Sequence, residues 1–161
     1  MARTISSALR WWALETPDYR AVSVGGDSIT YQALDTWVTQ VAANLVEAGI
    51  EPGDRVGSIA GSSIAHCALL LGAIRAGAIV APVNIRLAAR ETAEYLALTQ
   101  PKLVFGDEDQ ADKFAIVESS GSAARPMADV TAWRDVAVSF SEPERGAEDA
   151  VGIISTSGST G

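Results

Sequence analysis

Cysteine, histidine and lysine are nearly absent from this chain, and each scarcity closes off a class of function. The one cysteine, Cys67, leaves no internal disulfide possible. With no apolar leader after Met1-Ala2-Arg3-Thr4, the expected compartment is a reducing cytosol, that is, cytoplasmic. The one histidine, His66, sits beside Cys67 and offers too few ligands for a metal centre, so a packed or half-exposed helix histidine is the expectation. Two lysines, Lys102 and Lys113, stand against a net charge of −8, which argues against nucleic acid as a partner because its phosphates need clustered Lys and Arg. No stretch reaches the roughly 20 apolar residues of a membrane span. The richest, 64–83, is broken by His66, Gly72, Arg75, Gly77 and Pro82.

What is present suffices for one soluble domain. The 161 residues are 48% hydrophobic and 20% charged, enough chain to bury a core. Charge is unevenly placed: residues 1–105 carry a net of −1 and residues 106–161 a net of −7. The cluster Asp107-Glu108-Asp109 with Asp112 lacks the spacing and central glycine of an EF-hand, so a solvated loop is expected rather than a cation site. The four tryptophans, Trp11, Trp12, Trp37 and Trp133, are scattered and read as packing residues.

Periodicity organises the first hundred residues. Ile5, Ala8, Leu9, Trp12 and Ala13 give a short amphipathic helix that Thr16-Pro17-Asp18 ends. Residues 21–24 and 28–31 around Gly25-Gly26-Asp27 predict a small β-hairpin. Thr30 is placed to cap a helix carrying Leu34, Trp37, Val38, Val41, Ala42, Leu45 and Val46, with Gly49 at its C-terminus. After the turn Pro52-Gly53-Asp54 come a strand at 55–60 and a helix capped by Ser62 or Ser63, with Ile64, Cys67, Ala68, Leu71 and Ile74 inward. A strand at 78–81, a helix at 90–98 and a strand at 103–105 follow. This β–α–β–α–β order with apolar strands predicts an α/β fold, a mostly parallel sheet with helices on both faces. Residues 107–150 read as an acidic, irregular connection, with a weak strand signal at Val136-Ala137-Val138. A last strand at 151–155 leads into Ser155-Thr156-Ser157-Gly158-Ser159-Thr160-Gly161.

That last run is an anion cradle in composition. Glycines admit a close backbone approach, and hydroxyls and N–H groups supply donors. Ligands bind at the carboxyl ends of strands in such sheets, where this run is expected. It is not the common P-loop, since no lysine follows either glycine, and no Gly-x-Gly-x-x-Gly turn follows the first strand. Kinases and dehydrogenases of those types are therefore disfavoured.

The run instead resembles the signature loop of the adenylate-forming superfamily, with Ser155 where relatives usually have Tyr and Ser159 where they have Thr. Tyr31-Gln32-Ala33-Leu34, Gly53-Asp54-Arg55-Val56, 71–78 and Pro82-Val83-Asn84-Ile85-Arg86-Leu87 match further blocks in order, so the resemblance covers nearly the whole chain. Asn84-Ile85-Arg86-Leu87 looks like the fatty-acyl and aryl-acyl CoA synthetases. Ala88 departs from the Thr or Ser that usually caps the next helix, a loss of about 1 kcal/mol unless replaced.

The resemblance implies the first subdomain of the large N-terminal domain of a carboxylate–CoA ligase. Such enzymes use ATP, Mg2+ and CoA and act on a small-molecule carboxylic acid. Thr156, Ser157, Ser159 and Thr160 would donate hydroxyls to the ATP phosphates, and Gly158 and Gly161 would let the backbone approach. It also implies a contact between Arg86 and the 3′-phosphate of CoA, beside the plainer reading of Arg86 as a surface arginine paired with an acid. Alternatives are a non-catalytic α/β interaction module or another nucleotide-binding enzyme. No catalytic residue of the family falls within these residues, and the chain reads as one truncated subdomain. Association of such a piece as an oligomer would reflect apolar surface left by the cut. The 161-residue chain alone is expected to form no acyl-adenylate; trapping with hydroxylamine checks this, and a hydroxamate product would refute it.

Overall fold

Side-chain caps start the first three helices, as their sequences require. In this computed structural model, which describes residues 4–136 and 138–154, helix α1 spans Ile5–Glu15, α2 Tyr31–Glu47 and α3 Ile64–Arg75. The Thr4, Thr30 and Ser63 hydroxyls accept from the N–H groups of Ser7, Ala33 and His66 at 3.1, 3.3 and 3.0 Å. Helices α2 and α3 close with the same double bond pattern. Gly49 N–H reaches Val46 O and Ile50 N–H reaches Leu45 O; Gly77 N–H reaches Ile74 O and Ala78 N–H reaches Ala73 O.

Strands β1 (Arg20–Val24) and β2 (Asp27–Thr30) form the expected antiparallel hairpin. Gly25 and Gly26 take φ of +61° and +97°, the double left-handed turn that side chains resist. Strands β3 (Arg55–Ile59), β4 (Ile79–Pro82), β5 (Leu103–Gly106) and β6 (Ala123–Pro126) form one parallel sheet in the order β4-β3-β5-β6. Helices cover both faces, as the strand pattern predicts. Val56, Val80, Leu103 and Phe105 join the core under α2 and α3. Ile59, Ala81 and Val104 turn to the opposite face, under Tyr95 and Leu96 of α4 (Ala89–Thr99) and Val117 of α5 (Phe114–Ser119).

Four expectations are corrected. The segment after residue 107 is ordered in its first half: a 3-10 helix at Glu108–Lys113, then α5, β6, α6 (Met127–Ala132) and a second 3-10 turn at Trp133–Asp135. Val136 belongs to no strand, and Ala137 lies outside the described residues. The last strand is reduced to a single parallel bridge of Gly152 to Val80 on the free edge of β4, with Ser155 outside the described residues. In α3, Ile64, Cys67, Leu71 and Ile74 are only half-buried, whereas Ala68, Leu69, Gly72 and Ala73 are buried. This helix is apolar nearly all round and packs against several elements, so its period selects no single face. The lost cap at Ala88 is partly replaced: Glu91 Oε2 accepts from Ala88 N–H at 2.9 Å.

Helices α2 and α3 approach each other closely. A Cβ on Gly72 would meet Val41 Cγ1 at 2.5 Å, so the two backbones approach only because position 72 has no side chain. One turn later Arg75 is wholly buried, with its side chain 0% exposed and that of Asp35 21% exposed. Its Nε donates to Ser6 Oγ (2.9 Å), Nη1 to Asp35 O (3.0 Å) and Thr39 Oγ1 (2.7 Å), and Nη2 to Asp35 Oδ1 (2.6 Å). The guanidinium thereby joins α1, α2 and α3. A buried charge is tolerated only when paired and fully hydrogen-bonded, and removing one partner costs several kcal/mol. Asp35→Ala is therefore expected to lower the unfolding free energy by about 3 kcal/mol. The double change Asp35→Leu with Arg75→Met should recover most of that loss in urea unfolding; a double variant as unstable as the single would contradict this account.

Candidate functional site

The carboxyl ends of β3, β4 and β5 form one rim, where ligands bind in open parallel sheets. Main-chain groups along it are held by side chains from neighbouring loops. Asp107 Oδ2, just past β5, accepts from Gly61 N–H at 2.7 Å. Asn84 Oδ1 accepts from Arg86 N–H at 3.0 Å, and Lys113 Nζ donates to Ile85 O at 2.6 Å and Gln110 Oε1 at 3.0 Å. The acidic cluster is thus structural at Asp107, and among the described residues no three His, Cys, Asp or Glu side chains converge as a metal site.

His66 lies at the same rim with both ring nitrogens engaged. Nδ1 is 2.9 Å from Gly61 O, and since a carbonyl only accepts, the hydrogen resides on Nδ1. In the neutral ring Nε2 then accepts from the buried Ser58 hydroxyl at 2.9 Å. This is the packed helix histidine that the sequence predicts. Burial pushes the Cys67 thiol above its ordinary value, which disfavours the nucleophilic thiolate.

The chain enters the rim along the outer edge of β4. Val80 N–H donates to Val151 O at 3.0 Å and Ile153 N–H to Val80 O at 2.8 Å. Because the bridge is parallel, the chain runs toward the carboxyl end of the sheet. Ile154 there lines a cleft of about 380 Å3 with Gly61, His66, Val83 and Asn84. Hydrophobic burial does little to hold this entry: Val151, Ile153 and Ile154 are 38%, 37% and 77% exposed. Two main-chain bonds at about 1 kcal/mol each do not offset the backbone entropy of ordering three residues, about 1–2 kcal/mol apiece.

Two side chains supply further bonds. The Tyr95 hydroxyl, reaching out from α4, donates to Ile153 O at 3.0 Å. Arg145 donates through Nη1 to Gly77 O at 2.9 Å and through Nη2 to Ala150 O at 3.0 Å, and its Nε lies 3.0 Å from Asp149 Oδ2. Neither role is legible in the sequence. Tyr95 reads as one more apolar position of a helix, and Arg145 as one charge in an acidic linker.

Of the site residues expected from the sequence, Thr156, Ser157, Gly158, Ser159, Thr160 and Gly161 lie outside the described residues. Arg86 is exposed at the rim, and no carboxylate of the described residues pairs with its guanidinium, contrary to the plainer reading of a surface ion pair.

Comparison with known proteins adds a family to this geometry. The pattern of the AMP-binding enzymes matches residues 9–161. A long-chain-fatty-acid–CoA ligase of Mycobacterium tuberculosis is 29% identical over 98% of this chain and 31% of its own. A feruloyl-CoA synthase of an Amycolatopsis species is 30% identical over 91% of this chain and 29% of its own. The crystal structure of ATP-bound MatB from Rhodopseudomonas palustris superposes with a TM-score of 0.86 at 29% identity, covering 100% of this chain and 33% of that one. The chain therefore spans about a third of the length of these relatives.

Burial raises the Tyr95 phenol above its ordinary value near 10, so the hydroxyl keeps its proton and its bond to Ile153 through the neutral range. A folded-state value above the unfolded one contributes stability that is complete below about pH 10 and is lost as the pH rises through the folded value. Wild-type stability should fall over that alkaline window more steeply than that of Tyr95→Phe. Equal slopes in urea unfolding at pH 9 to 11 would show that Tyr95 does not contribute in this way.

Proposed function

The chain belongs to the AMP-binding enzyme family, and from that membership we propose that it forms the N-terminal part of an ATP-dependent carboxylate–CoA ligase. The carrying observation is the parallel bridge of Gly152 to Val80. It supports delivery of the Ser/Thr/Gly run to the carboxyl rim of the sheet, beside the cleft that Ile154 lines. The long-chain-fatty-acid and feruloyl relatives support a fatty or aromatic carboxylic acid as the substrate class.

In this reading a carboxylate oxygen of the acid attacks the α-phosphorus of ATP, the bond to the bridging oxygen breaks, and pyrophosphate leaves. The thiolate of CoA then attacks the acyl carbon and AMP departs. Such chemistry is driven by positioning and by charge stabilisation. The contribution of these residues is binding: hydroxyls of Thr156, Ser157, Ser159 and Thr160 donate to the β- and γ-phosphates, with Gly158 and Gly161 admitting the backbone. That donor set suits phosphate oxygens and carries no charge of its own. Mg2+ would neutralise the phosphates, and the described residues offer it no carboxylate cluster. Arg86, exposed and without an acidic partner among the described residues, is suited to the 3′-phosphate of CoA.

Kinetics of the full-length enzyme test both assignments. Thr160→Ala should raise the KM for ATP about tenfold, the loss of one hydrogen bond to a charged group, and leave the KM of the acid unchanged. Arg86→Ala should raise the KM for CoA alone. An unaltered ATP dependence in a Thr156→Ala, Thr160→Ala double variant would sink the phosphate-loop assignment.

A further inference from the structure

We propose that Tyr95 and Arg145 are positioning residues that set where the phosphate loop leaves the sheet, one gripping the chain just before the β4 bridge and the other just after it. The inference rests on the reading of residues 155–161 as the ATP phosphate loop. The grips lie on either side of Gly152. Arg145 bonds the carbonyl of Ala150, two residues before the bridge, and Tyr95 bonds the carbonyl of Ile153, one residue after it.

Each grip is anchored in a fixed part of the fold. Arg145 also bonds the carbonyl of Gly77, in the left-handed turn (φ +84°) that separates α3 from β4. A Cβ on that glycine would meet Pro52 at 3.1 Å and Pro143 at 3.2 Å, so both prolines pack against the turn. Asp149 Oδ2 holds Arg145 Nε at 3.0 Å and accepts from Gly146 N–H at 2.8 Å, which fixes the guanidinium plane relative to Ala150. Tyr95 is 7% exposed and packs in the core on the α4 face of the sheet, so its ring is held while only its hydroxyl reaches the chain.

The arrangement has a directional consequence. Arg145 couples the incoming chain to the end of α3, and Tyr95 couples the outgoing chain to α4 on the other side of the sheet. Together with the Val80 bridge, these bonds tie residues 150 to 153 to the edge of β4 from two separate elements. The proposed phosphate loop at 155–161 follows Ile153 and Ile154 directly in the sequence. A shift of about 1 Å in donors that must meet phosphate oxygens is enough to weaken binding severalfold or more.

Two measurements test this. In the 161-residue chain, hydrogen exchange of the Val80 and Ile153 amides reads the bridge directly and needs no ATP. Tyr95→Phe and Arg145→Met should each speed exchange there about tenfold, with the Val56 and Val104 amides of the sheet interior unchanged. Exchange that is unaltered at residues 80 and 153 overturns the proposal. In the full-length enzyme, ATP–pyrophosphate exchange should show the KM for ATP raised five- to tenfold in either variant, with kcat and the KM of the acid within about twofold of wild type. A purely structural role would instead reduce active enzyme and lower kcat. Wild-type enzyme without ATP–pyrophosphate exchange would overturn the phosphate-loop reading itself. Normal exchange with an unchanged ATP KM in both variants would overturn only the positioning role.

Discussion

The Arg75 guanidinium can stay charged beneath three helices only if every N–H it carries finds an oxygen, and that demand fixes the surrounding structure. Ser6 on α1 and Asp35 and Thr39 on α2 supply those oxygens. The C-terminal end of α3 is thereby pinned. Gly77 follows two residues later, and its turn starts β4 in register with β3. The Gly77 carbonyl then holds Arg145, which holds Ala150. A chain of direct contacts thus runs from the helix core to the edge of β4, where residues 151–153 join the sheet.

The two faces of the sheet contribute differently. The face under α2 and α3 carries the larger apolar cluster and lies beneath the close Gly72–Val41 approach. The opposite face is covered by the shorter helices α4 and α5 and contributes Tyr95 to the rim. At the rim itself, polar side chains bond backbone: Asp107 to Gly61, Asn84 to Arg86, Lys113 to Ile85. Those loops are held by hydrogen bonds to main-chain groups, with little apolar cover at exposed positions such as Ile85 and Ile154.

Much of this architecture was legible from residue order. Thr30 and Ser63 cap because a short hydroxyl side chain precedes each apolar-periodic run, and Gly49 ends its helix because a left-handed residue is needed there. Strand β6 was not legible. Ala123-Ala124-Arg125-Pro126 has neither an apolar run nor alternation, and it is a strand because β5 offers it a free edge. The inward face of α3 was legible only in part: Ala68 is buried and Ile64, Leu71 and Ile74 pack half-buried against the core, but Leu69 and Ala73 are buried too, because an apolar helix packed on several sides carries no single stripe to read. Of the candidate site, the hydroxyl- and glycine-rich composition of 155–161 was plain in the sequence, while the side chains that flank its entry were not.

The sequence by itself determined the elements whose cause is local: caps, turns, helix periods, buried strands, and the chemical type of the loop. These depend on neighbours within a few residues, which any reader of the chain can see. Tertiary structure alone decided which distant groups meet. Arg75 finds Asp35 across 40 positions and Tyr95 finds Ile153 across 58. No local pattern encodes such pairs, because their partners are chosen by the packing of helices on the sheet. A buried arginine and a tyrosine hydroxyl acquire their roles only when that packing brings distant oxygens within reach, several for Arg75 and one for Tyr95.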